Sequence, residues 1–265
     1  VLAVGDSFTA ALNVARDEVW TSVLERILKA RGYSSADVVN VGLDGTGTDV
    51  QLELLRRFVP RFQPRVVLVA FFANDLEDVR NGRFTRECYR EQVLSYQTPA
   101  QRDALRAQVD AAAARTAAAW LAQRSWLARL ALVALEGPAN PFRLSFRQPT
   151  RAELGLTPQV MAARADWPRR AFEALADFAA RCDCGLRIVP VPARRELGAS
   201  LALARETARG LSLEIVDVLP GMQARLAADG RTPADLYFRH DAHLNAYGNR
   251  VYAQALADAI EWEAR

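Results

Sequence analysis

A Gly-Asp-Ser triplet, Gly5-Asp6-Ser7, directly follows the apolar run of residues 1–4. The only two histidines of the chain, His240 and His243, stand near its other end, in a polar stretch beside Asp241. A serine hydroxyl is a poor nucleophile until a base takes its proton. The base needs a third group to orient it. Ser7, His243 and Asp241 are the residues that could form this set. Asp241 and His243 are two apart, so a carboxylate can reach an imidazole of its own loop. Asn245, two residues further on, fits the N-cap of a final helix that would hold the loop. His240 is the alternative, as base or as a substrate contact. A blander reading also exists for Ser7, because a serine between a strand and a helix often only caps the helix.

Acyl transfer through a serine generates an anionic oxygen, which preorganised donors must meet. Three candidates follow apolar strand-like runs: the backbone N–H of Ser7, the backbone N–H of Gly45 and the side-chain amide of Asn74. Glycine lets a backbone approach closely and adopt unusual dihedrals.

The elements that must position these residues alternate. Strands are expected at residues 1–4, 37–41, 65–72, 185–191 and 213–218. Helices are expected at 17–31, from Thr48 or Asp49 as cap to about residue 58, and at 169–181, 195–209, 220–229 and 246–262. Alternation of this kind argues for a parallel sheet covered on both faces. The fold class is therefore α/β: a flavodoxin-like three-layer sandwich with a five-stranded sheet in the order 2-1-3-4-5. In that order a crevice opens at the carboxyl ends of strands 1 and 3, where such sheets bind ligands. Ser7, Gly45 and Asn74 all lead into it. The rhythm breaks over roughly residues 76–167, which read as a helical insertion in one domain spanning 1–265. Its segment 120–135 is very apolar, but too short to span a bilayer. It suits a helix packed on the domain, a lid, or a surface resting on a membrane.

Taken together, GDS after strand 1, NVGLDGTGT after strand 2, AND after strand 3 and DAH before the last helix resemble the sequence blocks of the SGNH (GDSL-type) hydrolases. The resemblance covers the sheet and both ends, not the insertion. It implies Ser7 as nucleophile, His243 as base, and Ser7, Gly45 and Asn74 as the oxyanion hole. Two departures stand out. Phe72 occupies the usual glycine position of the third block. The usual last block has Asp three residues before His, whereas here that residue is His240 and Asp241 is two before. The closer spacing resembles the alginate-type O-acetyltransferase branch and related bacterial envelope proteins.

The expected function is a serine esterase acting on short acyl esters, above all O-acetyl groups on a carbohydrate. Alternatives are an O-acyltransferase that delivers acetyl to a polysaccharide, a long-chain lipid esterase, and a non-catalytic carbohydrate-binding envelope subunit. No cofactor is expected. Two histidines at i and i+3 make only half a zinc site, and Gly45-x-Gly47 lacks the third glycine of a dinucleotide fingerprint. A net charge of +3 spread over 265 residues, with arginines scattered among acids, argues against nucleic acid as a partner. Cys88, Cys182 and Cys184 are expected as buried thiols, the last two being too close to pair. Because the chain starts at Val1 inside a strand, an upstream segment is expected to be missing. Such a segment could carry an anchor, and the expected compartment is extracytoplasmic. The pattern does not fix an oligomeric state.

Overall fold

The computed structural model describes residues 1–81 and 157–262. The chain divides into two compact units, residues 1–93 with 166–265, and residues 94–165. The first unit holds the sheet: β1 (Leu2–Gly5), β2 (Val39–Asn40), β3 (Val66–Phe71), β4 (Gly185–Pro190) and β5 (Glu214–Ile215). All neighbours run parallel, in the order β2-β1-β3-β4-β5. This is the order expected from the alternation. Around the sheet lie α1 (Ser7–Ala10), α2 (Trp20–Ala30), α3 (Thr48–Phe62), α4 (Asp75–Asn81), α6 (Trp167–Arg181), α7 (Ala199–Thr207), α8 (Leu219–Ala228) and α9 (Ala246–Ala259). The second unit contributes α5 (Pro158–Ala163) to the described residues.

Alternate strand residues feed two separate cores. Ala3, Leu68, Ala70 and Val189 pack with Trp20, Leu24, Met222, Tyr252 and Leu256 of α2, α8 and α9. Leu2, Val4, Val67, Val69, Phe71 and Ile188 pack with Leu52, Leu55, Phe172, Leu175 and Ala204 of α3, α6 and α7. A period of two in the strands thus makes three layers. An edge-on aromatic pair seals each core: Trp20 with Tyr252, and Phe71 with Phe172, both with centroids 5.6 Å apart.

The expected elements recur with shifted ends. The two edge strands shrink to two residues each, because an edge strand is held from one side only. Backbone bonds still extend the pairing beyond the ladder: Leu43 N–H donates to Gly5 O at 2.9 Å, and Val216 N–H to Ile188 O at 2.9 Å. The expected helix over 17–31 splits at Val19 into a 3₁₀ turn, Arg16–Glu18, and α2. Neither Thr48 nor Asp49 caps α3. Gly47 takes the N-cap position with extended backbone, and both residues are buried in the first turn. Helix α3 runs through Pro60 to Phe62 before Gln63 ends it in the left-handed region.

The cysteine expectation is corrected. Cys182 and Cys184 form a disulfide. Cys182 leaves α6 with extended backbone, and the chain turns at once into β4. That turn brings the two Cα atoms to 5.2 Å, within the range a disulfide bridges. Cys88 and most of the expected insertion, including the apolar segment 120–135, lie outside the described residues.

Candidate active site

Ser7 sits where β1 ends, as the first residue of α1. The cap of α1 is Asp6, not Ser7: the Asp6 carboxylate accepts the Phe8 N–H at 3.0 Å. That leaves the serine hydroxyl uncommitted to the helix. It meets His243 instead, with Ser7 Oγ 2.8 Å from Nε2. The other ring nitrogen, Nδ1, lies 2.6 Å from Asp241 Oδ1, which also accepts the His243 backbone N–H at 3.1 Å. A carboxylate only accepts, so Nδ1 carries the proton and Nε2 presents a lone pair to the serine. Burial pushes the Asp241 carboxyl up, but the hydrogen bonds from the His243 ring and backbone outweigh it and hold the group below its ordinary value. Asp241 is therefore ionised at neutral pH. His240 is exposed and outside this relay.

The loop carrying the base is closed on itself. Phe238 N–H donates to His243 O, Asn245 N–H to Leu236 O, and Tyr237 bridges Leu244. Asn245 caps α9 as its position suggested, accepting the Gly248 N–H at 2.9 Å. Its amide also donates to the carbonyls of Asp235 and Tyr237. Buried Asn249 ties the start of α9 to α2 by accepting the Trp20 N–H, which compensates for the missing side-chain cap there. Arg194, in the loop after β4, donates to the carbonyls of Arg239 and Asp241 at 3.0 and 3.1 Å. Asn13 Nδ2 approaches Asp241 Oδ2 at 3.5 Å.

Three rings line up behind the serine. Phe72 packs on Phe8 with centroids 4.2 Å apart, and Phe8 packs on the His243 imidazole at 4.6 Å. This explains the departure in the third block. The position usually held by glycine carries a side chain that closes one face of the base through Phe8.

The other candidate donors lie on the loops that follow the neighbouring strands β2, β1 and β3. The Ser7 N–H, first in its helix, has no partner within that helix. Asn40 ties the loop after β2 to the chain behind Ser7: its amide donates to Thr9 O at 2.7 Å, and its carbonyl accepts the Gly42 N–H. Gly45 has φ +70°, a conformation that suits glycine. Gly47 packs so tightly on α4 that a Cβ there would lie 2.8 Å from Asp75 O. The loops after β2 and β3 are thereby pressed together. Asn74, at the turn into α4, is exposed. Its amide donates to Asp78 Oδ2 at 2.9 Å.

Below these donors lies a set of buried carboxyls. Burial pushes Asp6 up to about 6 and Asp49 up to about 7. Burial, with the Asp6 charge beside it, raises Asp75 well above the ordinary carboxylate range. Gln51 and the Phe72 N–H both donate to Asp75 Oδ2. The Asp that follows Asn74 thus braces the loop rather than facing the crevice.

A cavity of about 500 Å³ opens beside the base loop, lined by Leu12, Asn13, Val14, Phe238 and Tyr247 among others. Phe238 therefore walls a pocket, while Tyr237 is core. Phe8, Asn13, Asp78 and Arg194 were not singled out in the sequence. Phe8, adjacent to Ser7, and Asp78, four residues after Asn74, carried a positional signal; Asn13 and Arg194 meet the site solely through the fold.

A serine hydroxyl bonded to an imidazole that a carboxylate orients, at the carboxyl edge of a doubly wound sheet, is the arrangement that a serine hydrolase of the three-layer α/β type needs. The chain belongs to the GDSL-like lipase/acylhydrolase family, whose model matches residues 3–251. It is an enzyme of the serine esterase and hydrolase class. Solved structures of similar fold include a lipase/acylhydrolase from Enterococcus faecalis (15% identity, 97% of this chain and 93% of that one, TM-score 0.47). Others are an acetyl xylan esterase (13%, 98% and 100%, 0.49) and a two-domain esterase active on acetylated mannans (11%, 97% and 47%, 0.50). No curated protein matches the chain.

Proposed function

We propose that the protein removes short acyl groups, O-acetyl foremost, from a carbohydrate through an acyl-enzyme on Ser7. The observation that carries this reading is the relay Ser7 Oγ–His243 Nε2–His243 Nδ1–Asp241 Oδ1, at 2.8 and 2.6 Å. His243 takes the Ser7 proton as Oγ attacks the ester carbonyl. The oxygen left negative is met by the Ser7 and Gly45 N–H groups and the Asn74 amide. Collapse expels the sugar hydroxyl, which takes the proton back from His243. Water, activated by the same imidazole, then frees the acid and Ser7.

The choice of a small acyl group on a large polar alcohol is supported by exposure. The His243 side chain is 30% exposed and that of Asp241 45%. An ester reaching so open a site can remain attached to a bulky hydrated molecule. The two-domain esterase active on acetylated mannans shares the fold and gives the same substrate class as a precedent for this scaffold. An extracytoplasmic site of action fits the Cys182–Cys184 disulfide, which an oxidising compartment preserves.

The test is hydrolysis of p-nitrophenyl acetate, p-nitrophenyl decanoate and acetylated xylan or mannan, with Ser7→Ala in parallel. We expect Ser7-dependent release of acetate from the polysaccharide and a preference for acetate over decanoate. Activity that survives Ser7→Ala would refute the acyl-enzyme. A preference for decanoate would refute the substrate class. Acetyl passing to an added sugar faster than to water would assign the same machinery to transfer.

A further inference from the structure

A primary amide has two ends of nearly equal size, and only one of them can stabilise an anion. Turning the Asn74 side chain over would exchange Nδ2 for Oδ1 and set an oxygen lone pair against the oxyanion. The orientation of this amide therefore decides whether the residue helps or hinders the reaction. Asn74 is exposed and sits at a turn, so packing alone does not fix it.

Asp78 lies one helical turn away. Its N–H donates to Asn74 O at 2.8 Å, and its Oδ2 accepts from Asn74 Nδ2 at 2.9 Å. The residue is 2% exposed, so water competes little for that contact. An ionised carboxylate accepts and never donates. The turned-over amide would place Oδ1 against a carboxylate oxygen. Asp6 reinforces the choice, because its carboxyl also interacts with the Asn74 amide from the β1 side. One hydrogen of Nδ2 goes to Asp78, which fixes the end of the amide that carries the nitrogen.

We propose that Asp78 is a positioning residue of the oxyanion site, fixing the side-chain amide of Asn74 nitrogen-first toward the oxygen that becomes negative on the Ser7 adduct. This rests on the oxyanion role given to Asn74 above. Asp78 touches no reacting atom. Its presence also carries a cost. It adds negative charge to the buried set of Asp6, Asp49 and Asp75, each of which is raised in part by Asp78. A residue kept only for stability would not be expected to be a carboxylate in that company.

The test is a double-mutant cycle on p-nitrophenyl acetate hydrolysis, using Asn74→Ala, Asp78→Leu and both together, with Asp78→Asn as the variant closest in shape. Thermal midpoints are measured on every protein. Asn74→Ala should lower kcat by about 10²-fold, the usual loss for one oxyanion donor. Asp78→Leu should lower kcat roughly 10- to 50-fold with KM unchanged. In the Asn74→Ala background it should cost less than about twofold, since the amide it positions is gone. Asp78→Asn, which offers an oxygen or a nitrogen equally, should lose about three- to tenfold while its thermal midpoint stays level or rises. If Asn74→Ala leaves kcat unchanged, the oxyanion reading of Asn74 itself fails. Should Asn74→Ala lose the expected 10²-fold while Asp78→Leu loses nothing, or loses as much with Asn74 absent as with it present, the positioning role is overturned. If the Leu variant does not fold, Asp78→Asn is carried through the same cycle and decides by the same criterion.

Discussion

Replacing Asp241 with Asn changes one charge and almost no volume. In the protein, Asp241 Oδ1 accepts both the ring and the backbone N–H of His243, at 2.6 and 3.1 Å. An asparagine can offer Oδ1 to the same two donors, so the proton stays on Nδ1 and Nε2 still faces Ser7. What is lost is the attraction between the carboxylate and the imidazolium that forms as His243 takes the serine proton. Two unit charges about 4 Å apart interact by about 1 kcal/mol in bulk water and about 4 kcal/mol near a protein surface. With Asp241 45% exposed the site lies between these limits. A loss of about 2–3 kcal/mol corresponds to roughly a 30- to 160-fold fall in kcat. The assay is the initial rate of p-nitrophenyl acetate hydrolysis by Asp241→Asn and His240→Gln beside the parent, with a thermal melt to establish folding. His240→Gln should retain activity within about threefold. A folded Asp241→Asn with parental kcat, or a large loss confined to His240→Gln, would refute the assignment of base and orienter.

Arg194→Met removes two donors from the carbonyls of the base loop while keeping the aliphatic stem; kcat should fall about three- to tenfold with a stability change under about 1 kcal/mol, read from kinetics and denaturant melts. Asp49 is raised to about 7, so the native state holds a proton that the unfolded chain releases near pH 3.8; stability should fall as pH rises through that window and level off above it. Asp49→Asn should make this dependence shallower, Asp6 and Asp75 keeping the rest, and exceed the parent at pH 8 by up to about 4 kcal/mol, with denaturant midpoints at pH 5 and pH 8 as the check. Replacing Cys182 and Cys184 together by Ser opens a loop of only three residues, so about 1.5 kcal/mol should be lost. Its thermal midpoint should fall by roughly 3–6 °C, and an unchanged midpoint would remove the stabilising role.

The candidate catalytic groups were legible because their chemistry is sparse in this chain. Two histidines beside an acid, and a serine at the end of an apolar run, leave few ways to assemble a base and a nucleophile. The helix cap at Asn245 was legible for the same local reason: a side chain that reaches three residues on needs no information from elsewhere. The cap at α1 was not, since Asp6 and Ser7 can both cap in principle. The choice fell to Asp6 because the tertiary fold gives the Ser7 hydroxyl a different partner, 236 residues away.

Periodicity determined the layers and the strand order, because alternating strands and helices that bury both sheet faces admit few arrangements. It placed Ser7, Gly45 and Asn74 at one edge of the sheet. It could not set the lengths of β2 and β5, which are edge strands held from one side only. Nor could it pair Cys182 with Cys184, which a tight turn between helix and strand brings within bonding reach. The tertiary structure alone decided which polar groups hold the catalytic ones. Arg194 reaches the base loop from the end of another strand. Phe72 reaches the imidazole through Phe8. Spacing in a sequence records local periods, whereas the orientation of a side chain depends on neighbours that the folded chain brings in from afar.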